Sequence, residues 1–249
     1  SSNLDEFFMV RVASLRDMVH ADYKKADIAG MTATEQLEKI NVATRELVEL
    51  QYSTYNRSLV PQLEAKGIRI IDAFEELTAE QQEFVDKYFE ETVYPVLTPM
   101  AVDASRPFPL IRNKTLNIAA FLLKKGEKKK EENYEFATVQ VPGVLPRIIP
   151  IPDGENHSFI LLEQIIEKNM ERLFLNYDVI CAYPYRIMRN ADLTIDEDEA
   201  EDLLQEIQKQ LKKRQWGEII RLEVEDKIDK KLLHFLKEEL QIPKDDIYK

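Results

Sequence analysis

The sequence is poor in cysteine and glycine and contains no long apolar run, and each shortage excludes a class of protein. The single cysteine, Cys181, excludes an internal disulfide and is typical of a reducing compartment. No apolar run approaches the roughly 20 residues that a membrane-spanning helix needs, and the N-terminus carries no charged and then apolar signal segment. We therefore expect no transmembrane segment and a cytoplasmic location, with peripheral association with a membrane as the alternative.

Positive charge is scarce as well. The chain has 34 Lys and Arg residues against 46 Asp and Glu residues, which gives a formal net charge of −12 at pH 7. Because binding to nucleic acid requires a basic face, this balance argues against a nucleic-acid-binding protein. A local basic patch that binds another polyanion remains compatible with it.

The residues that are present indicate a helix-rich protein with a sizeable core. The 249 residues suffice for one large or two ordinary domains, and 44% of them are hydrophobic. Six glycines and 32% charged residues favour helices. Since the chain begins at a helix cap rather than at an initiator Met, we expect it to be a piece of a longer protein.

The first residues are predicted to begin a helix. Ser2 or Asn3 can cap it, because a short side-chain oxygen accepts from a backbone N–H two or three residues later. Apolar residues then recur at steps of three and four through residues 3–23. We expect this helix to be buried between neighbours, because it is apolar on two sides.

Two capping boxes predict further helices. Thr32 and Thr78 are each followed three residues later by Glu or Gln. The first box opens a long helix that Pro61 should kink or restart and that Gly67 should cap. We therefore predict an all-α, antiparallel helical bundle over residues 1–97.

The composition changes at the proline-rich residues 95–99, and an α+β head domain is predicted over residues 98–249. Its predicted strands are residues 116–123, 136–141, 147–151, 179–187 and 219–224, and its predicted helices are residues 159–174, 196–214 and 229–240. The predicted fold class is thus multi-domain, with a helical bundle followed by an α+β domain.

Common catalytic motifs are missing. The sequence contains no GxxxxGK[ST], no GxGxxG and no HExxH. His20, His157 and His234 have no partner at metal-ligand spacing. Cys181 lies between apolar neighbours and is predicted to be a buried structural thiol. We assign no catalytic residue and no metal ligand in this chain.

Asn3 has two competing interpretations. Before Leu4 and Asp5 it is, in the simpler reading, a helix cap. The alternative uses the same physics, because a helix N-terminus presents free N–H groups to a nucleotide or phosphate, and an amide both donates and accepts toward a purine edge. The residues alone do not choose between these two.

Basic residues beside rigid turns form a second group of candidates. They are Arg106, Arg112, Lys114, Arg147, Arg186 and Arg189. Arginine matches phosphate oxygens with two parallel hydrogen bonds, although each of these residues alone is more simply a surface ion pair. The lysine-rich residues 124–130 are similarly interpreted as a solvated hairpin loop, with phosphate binding as the alternative.

Several blocks of the sequence resemble one known family. Residues 2–12, Ser-Asn-Leu-Asp-Glu-Phe-Phe-Met-Val-Arg-Val, resemble the N-terminal signature of the family 1 polyphosphate kinases. Further blocks similar to that family follow in the family's order, at residues 95–103, 106–109, 141–147, 186–193, 196–204 and 216–224. Together they extend over nearly the whole chain.

This resemblance implies an enzyme that reversibly transfers the terminal phosphate of ATP to inorganic polyphosphate, through a phosphorylated histidine and with magnesium. It implies that the catalytic histidines and magnesium ligands lie in two C-terminal domains, similar to phospholipase D, which are absent here. None of the three histidines falls in a matching motif, so this segment alone is expected to be inactive.

The resemblance also implies roles for this segment. The nucleotide contact of the family corresponds to Asn3, and the head domain of the family contributes to dimerisation. The expected partners are therefore ATP or ADP, inorganic polyphosphate and a second copy of the chain. An alternative from another class is a non-catalytic interaction scaffold, in which the long helix is the partner surface.

Overall fold

The computed structural model describes residues 2–102, 108–154, 156–191 and 217–249. Its helices are α1 Ser2–Phe7, α2 Ala13–His20, α3 Ala33–Thr54, α4 Val60–Glu64, α5 Ala79–Tyr88, α6 Leu162–Lys168, α7 Met170–Leu173 and α8 Lys230–Glu239. Its strands are β1 Ile68–Ile71, β2 Pro99–Val102, β3 Leu116–Lys124, β4 Tyr134–Gln140, β5 Ile148–Ile151, β6 His157–Leu161, β7 Tyr177–Arg189, β8 Ile219–Val224 and β9 Ile247–Tyr248.

Side chains cap α3 and α5 where the sequence predicts, whereas Ser2 and Asn3, the predicted caps of the first helix, lie inside α1. The hydroxyl of Thr32 accepts from the backbone of Glu35, whose carboxylate accepts in return from the backbone N–H of Thr32. Thr78 begins α5 by the same reciprocal arrangement with Gln81. Both predicted capping boxes are confirmed.

The long helix changes geometry before its proline. A π-helical turn, Tyr55–Leu59, joins α3 to α4, and Pro61 lies at the start of α4. Proline lacks an N–H and its ring crowds the carbonyl of the preceding turn, so the wider turn accommodates it. Gly67 then ends the segment with a φ of +74°, as predicted.

The described strands form two sheets. The first has the order β1-β6-β5, with β1 parallel to β6 and β5 antiparallel to it. The second has the order β2-β4-β3-β7-β8-β9 and is antiparallel except for the pair of β8 and β9. Because β1 precedes the predicted boundary and β6 follows it, the two predicted regions share a sheet.

Helix α5 packs against strands rather than against the other long helices. Val85 and Phe89 are fully buried in a core that also contains Ile118 of β3, Ile160 of β6 and Ile165 of α6. Of the antiparallel bundle predicted over residues 1–97, the structure therefore confirms a helical N-terminal region but not the bundle arrangement. A sheet face offers α5 a broad apolar surface, which explains the difference.

The first helical segment packs on the second sheet. Phe8 and Val12, in the π-helical turn Phe8–Val12 between α1 and α2, contact Met188 of β7 and Ile220 of β8 in one buried cluster. Phe8 is 2% exposed. The predicted burial on two sides is confirmed only for this side, because Phe7 and Val10 on the other side are exposed. The buried side fixes this segment beside β7 and β8.

Two further predictions have a definite outcome. The helix predicted over residues 159–174 is wrong at its start, because residues up to Leu161 belong to β6 and pair with both β1 and β5. The helix predicted over residues 196–214 lies outside the described residues. The boundary between residues 97 and 98 remains a prediction.

Candidate functional site

A cleft lies between the helical region and the α+β region. It is a cavity of about 680 Å³, lined by α1 and α3 on one side and by β7, β8 and α6 on the other. Val48, Gln51 and Tyr52 of α3 face it across from Pro184 of β7. This volume falls within the range of small-molecule binding sites, roughly 300–1,000 Å³.

The cleft is rich in charged side chains of both signs. Five are cationic, namely Lys114, Arg147, Arg186, Arg221 and Lys249, and four are acidic, namely Asp5, Glu163, Glu223 and Glu225. In a chain whose net charge is −12, an excess of cations is a local reversal. The cleft is therefore less acidic than the chain as a whole.

An alternating chain of charges forms the floor of the cleft. Arg186 donates from Nε to Glu223 at 2.6 Å and from Nη2 to Asp5 at 3.1 Å. The other oxygen of Asp5 lies 3.5 Å from Nζ of Lys114. Asp5 is 8% exposed, so this carboxylate of α1 is held almost out of water by two cations.

Strand register explains one of these contacts. Arg186 and Glu223 are direct cross-strand partners in the antiparallel pair of β7 and β8, so their side chains share one face of the sheet. Burial of Arg186 works against its charged form, but hydrogen bonding to Glu223 and the charges of Glu223 and Asp5 outweigh it and raise the pKa of the guanidinium. Arg186 is thus a fixed cation.

Arg221 joins this network from β8. Its guanidinium lies between two aromatic rings, 4.6 Å from the centre of Phe8 and 4.2 Å from that of Tyr248, and its Nη2 lies 3.0 Å from Glu223. Among the described residues, its Nε and Nη1 have no hydrogen-bond partner. The rings stabilise the cation through their faces instead.

Arg147 also lines the cleft. Its Nε donates to Glu163 of α6 at 2.9 Å, and this hydrogen bond is the main reason why the pKa of Arg147 is raised. The side chain of Glu163 is 7% exposed whereas that of Arg147 is 64% exposed. The guanidinium can therefore meet a ligand without leaving its buried carboxylate.

The structure separates the six predicted basic residues. Lys114, Arg147 and Arg186 meet at the cleft. Arg189 is buried and donates to the carbonyl oxygens of Ile111 and Gly217, which makes it a structural residue. Arg112 is exposed and is not among the residues lining the cleft, and Arg106 lies outside the described residues.

The lysine-rich loop is a hairpin connection. Residues 125–133 join the antiparallel strands β3 and β4, and Gly126 turns the chain with a φ of +90°. Lys125 donates to the carbonyl of Leu175, and Lys130 to Glu132. The simpler interpretation as an exposed hairpin loop agrees with these contacts.

Asn3 is exposed and lies in the first turn of α1. The two residues that follow it, Leu4 and Asp5, line the cleft. Asn3 therefore lies near the cleft on a solvent-accessible helix turn, and it is not packed into the interior.

One histidine has acidic neighbours that the sequence does not reveal. Ligand atoms of Asp17, His20 and Glu218 lie within 4.8 Å of one another. All three residues are exposed, and Asn190 donates to Asp17 at 3.3 Å. Exposed acidic groups of this kind are common without a metal ion, so we assign no metal site to these three residues.

Cys181 differs from its prediction. It is half-buried in β7 rather than fully buried. Burial raises the pKa of its thiol. A raised pKa disfavours the reactive thiolate, which agrees with a structural role.

Sequence reasoning missed Arg221, Glu223 and Tyr52. A signal existed for the first two, because alternation along β8 puts Arg221 and Glu223 on the face opposite to Ile220 and Leu222. No comparable signal marks Tyr52, whose position beside the cleft depends on how α3 packs.

The chain thus belongs to the class of proteins that join a helical region to an α+β region, with a charged cleft between the two. Two family profiles match the chain in order. The polyphosphate kinase N-terminal domain matches residues 1–71, and the polyphosphate kinase middle domain matches residues 80–249. The chain therefore belongs to the polyphosphate kinase family.

Individual relatives agree with this assignment. The chain is 47% identical over 251 residues to a polyphosphate kinase of Bacillus anthracis. This alignment covers 100% of the chain and 36% of the relative. It is 50% identical over 229 residues to a polyphosphate kinase of Lactiplantibacillus plantarum, in an alignment that covers 92% of the chain and 31% of that relative. The chain thus spans about a third of the length of the curated relatives it matches.

A solved structure shares the fold. The crystal structure of polyphosphate kinase from Porphyromonas gingivalis superposes with a TM-score of 0.72 at 23% identity, over 99% of this chain and 33% of that chain.

Among the described residues, no helix is both long and apolar enough to cross a membrane.

Proposed function

We propose that this chain is part of a polyphosphate kinase that reversibly transfers the terminal phosphate of ATP to inorganic polyphosphate. The observation that carries this proposal is the match of both family domains, in order, over residues 1–71 and 80–249. The cationic cleft between the two regions supports it, because both substrates are polyanions. A cytoplasmic location, where ATP is available, fits the single cysteine.

In this proposal, Asn3 contacts the nucleotide. Its amide can donate to and accept from a purine edge. Its exposure and its position next to Leu4, which lines the cleft, support this role.

Three of the four carboxylates that line the cleft are poor magnesium ligands. Magnesium prefers free carboxylate and water oxygens, whereas Asp5, Glu163 and Glu223 are each paired with Arg or Lys. We therefore propose that the magnesium ligands and the phosphorylated histidine lie in the remainder of the enzyme. The contribution of this segment is to bind and orient substrates.

The second proposed role is dimerisation through the head domain, residues 98–249. Size-exclusion chromatography with light scattering on this chain tests it directly. A mass near twice that of the monomer supports the role, and a monomer at micromolar concentrations contradicts it.

The nucleotide role is tested by Asn3→Ala in the whole enzyme. We expect the KM for ATP to rise about threefold to tenfold, because one hydrogen bond is worth about 0.5–1.5 kcal/mol, while the KM for polyphosphate stays unchanged. Asn56→Ala, at an exposed asparagine on the long helical segment, is the matched control. Unchanged kinetics in Asn3→Ala would contradict the nucleotide role and leave Asn3 only a structural residue of the helix.

A second candidate function is an interaction scaffold without catalysis. The exposed apolar side chains of Val42, Leu47 and Leu50 on α3 favour it. The melting temperature of the chain separates the two candidates. A rise with ATP or polyphosphate supports substrate binding, and no response to either ligand supports the scaffold.

A further inference from the structure

Cationic side chains of the cleft are already balanced by carboxylates of the protein. Lys114 and Arg186 share Asp5, Arg186 and Arg221 share Glu223, and Arg147 is paired with Glu163. A ligand that binds these cations must therefore share them with the internal carboxylates or displace those carboxylates. This requirement determines which anions can bind.

We propose that the cleft is a binding site for a linear chain of phosphates, in which Lys114, Arg186 and Arg147 hold the phosphate groups and Asp5 is the internal anion that they release. The identification of this ligand as inorganic polyphosphate rests on the proposed function. The binding chemistry rests only on the cleft.

Asp5 is the carboxylate best placed for exchange. Glu223 is fixed to Arg186 by strand register at 2.6 Å, and Glu163 is a buried partner on α6. Asp5 instead lies 3.1 Å from Arg186 and 3.5 Å from Lys114, so its contacts are longer than that of Glu223. A phosphate oxygen can take its place while Arg186 stays bonded to Glu223.

The exchange favours a chain over a single phosphate. An orthophosphate ion carries about two negative charges, and most of that charge would only replace the attraction lost from Asp5. A phosphate chain carries several charges and extends from one group of cations to the next across a cavity of about 680 Å³. Its additional phosphates reach Arg147, whose guanidinium is largely exposed.

Isothermal titration calorimetry on this chain, without magnesium, tests the proposal with tripolyphosphate and orthophosphate as probes. We expect tripolyphosphate to bind at least tenfold more tightly than orthophosphate, and its affinity to fall as salt is raised. Equal affinities would overturn the proposal.

Two conservative variants locate the site. Arg147→Gln and Lys114→Gln should each weaken tripolyphosphate binding about tenfold. Arg69→Gln is the matched control, because Arg69 is also a half-exposed arginine paired with a glutamate, Glu76, and it is not among the residues lining the cleft. An equal loss in Arg69→Gln, or no loss in the cleft variants, would overturn the assignment.

The exchange itself is tested by Asp5→Asn. Removing the internal competitor should tighten tripolyphosphate binding about threefold and steepen its dependence on salt. If Asp5 served only to hold the two cations in place, the same variant would bind more weakly, and the exchange would be wrong. A melting curve of each variant confirms that the comparison is between folded proteins.

The two proposals fail separately. The cleft proposal alone would be contradicted if calorimetry on this chain showed no preference for tripolyphosphate while the whole enzyme still formed polymer from ATP. Absence of polymer formation by the whole enzyme, with tripolyphosphate still bound at the cleft, would contradict the transferase assignment alone.

Discussion

We expect Glu167 to make this protein less stable as the pH rises through neutrality. Burial raises the pKa of its carboxyl from 4.5 to about 7, and the negative charges of Glu225, Glu163 and Glu75 add to the effect. Two of these neighbours, Glu163 and Glu225, line the cleft. Glu167 lies on α6 one turn after Glu163, so its ionisation adds a fourth like charge to this group.

The magnitude and its sign follow from linkage. A pKa that is higher in the folded than in the unfolded state favours folding when the group is protonated, so this stability is present below pH 4.5 and is lost as the pH rises through 7. The full shift corresponds to about 3 kcal/mol. Since the side chain is only partly buried, solvent screening reduces this to roughly 1.5 kcal/mol.

The variant Glu167→Gln stays neutral at every pH and should abolish this loss. We expect it to raise the free energy of unfolding by roughly 1.5 kcal/mol at pH 8 and by little at pH 5. Urea unfolding at a series of pH values measures this difference. Glu171→Gln, at an exposed position of the next helix, is the control and should show no such dependence.

A gain that is the same at pH 5 and pH 8 would contradict the reasoning, because a difference in helix propensity or packing does not depend on the ionisation of Glu167. A variant that is less stable at pH 8 would contradict it as well. That result would mean that the carboxylate has a favourable partner in the ionised form.

Two further changes test the core and the caps. Phe89→Ala should lower the free energy of unfolding by about 3–5 kcal/mol in urea, because this ring, in the π-helical turn that follows α5, is fully buried in the hydrophobic core. Phe84→Ala, at an exposed ring of α5, should cost much less. Thr32→Ala should cost about 1 kcal/mol by loss of the capping box. Its control, Thr34→Ala, is exposed in the first turn of α3 and should be nearly neutral; an equal cost at both threonines would argue against the cap.

The local elements could be predicted from the sequence because their signals are local. The capping boxes at Thr32 and Thr78, the turn at Gly67 and the strand over residues 219–224 each depend on a few neighbouring residues. The error at residues 159–161 has the same origin. A short apolar run there fits a helix by its pattern, and only pairing with β1 and β5 makes it a strand.

The packing of whole elements was not predictable in this way. Helix α5 has the apolar stripe of a bundle helix, and the stripe does not say whether helices or a sheet will cover it. The position of α5 on the first sheet depends on contacts with residues far away in sequence, such as Ile160 of β6.

The cleft was predictable only in its composition. The sequence identifies Lys114, Arg147 and Arg186 as cations beside turns, but their convergence depends on strand register and on the position of α1. Asp5, which pairs with two of them, is 181 residues from Arg186 along the chain. Arg221 required the further knowledge that Phe8 and Tyr248 meet around it.

Polymer formation from ATP tests the central claim most directly. The enzyme that contains this chain is incubated with ATP and magnesium, and inorganic polyphosphate is quantified with the chain alone as the control. The account predicts polyphosphate from the whole enzyme and none from this chain. Polyphosphate formed by the chain alone, or no polymer from a folded whole enzyme, would contradict it.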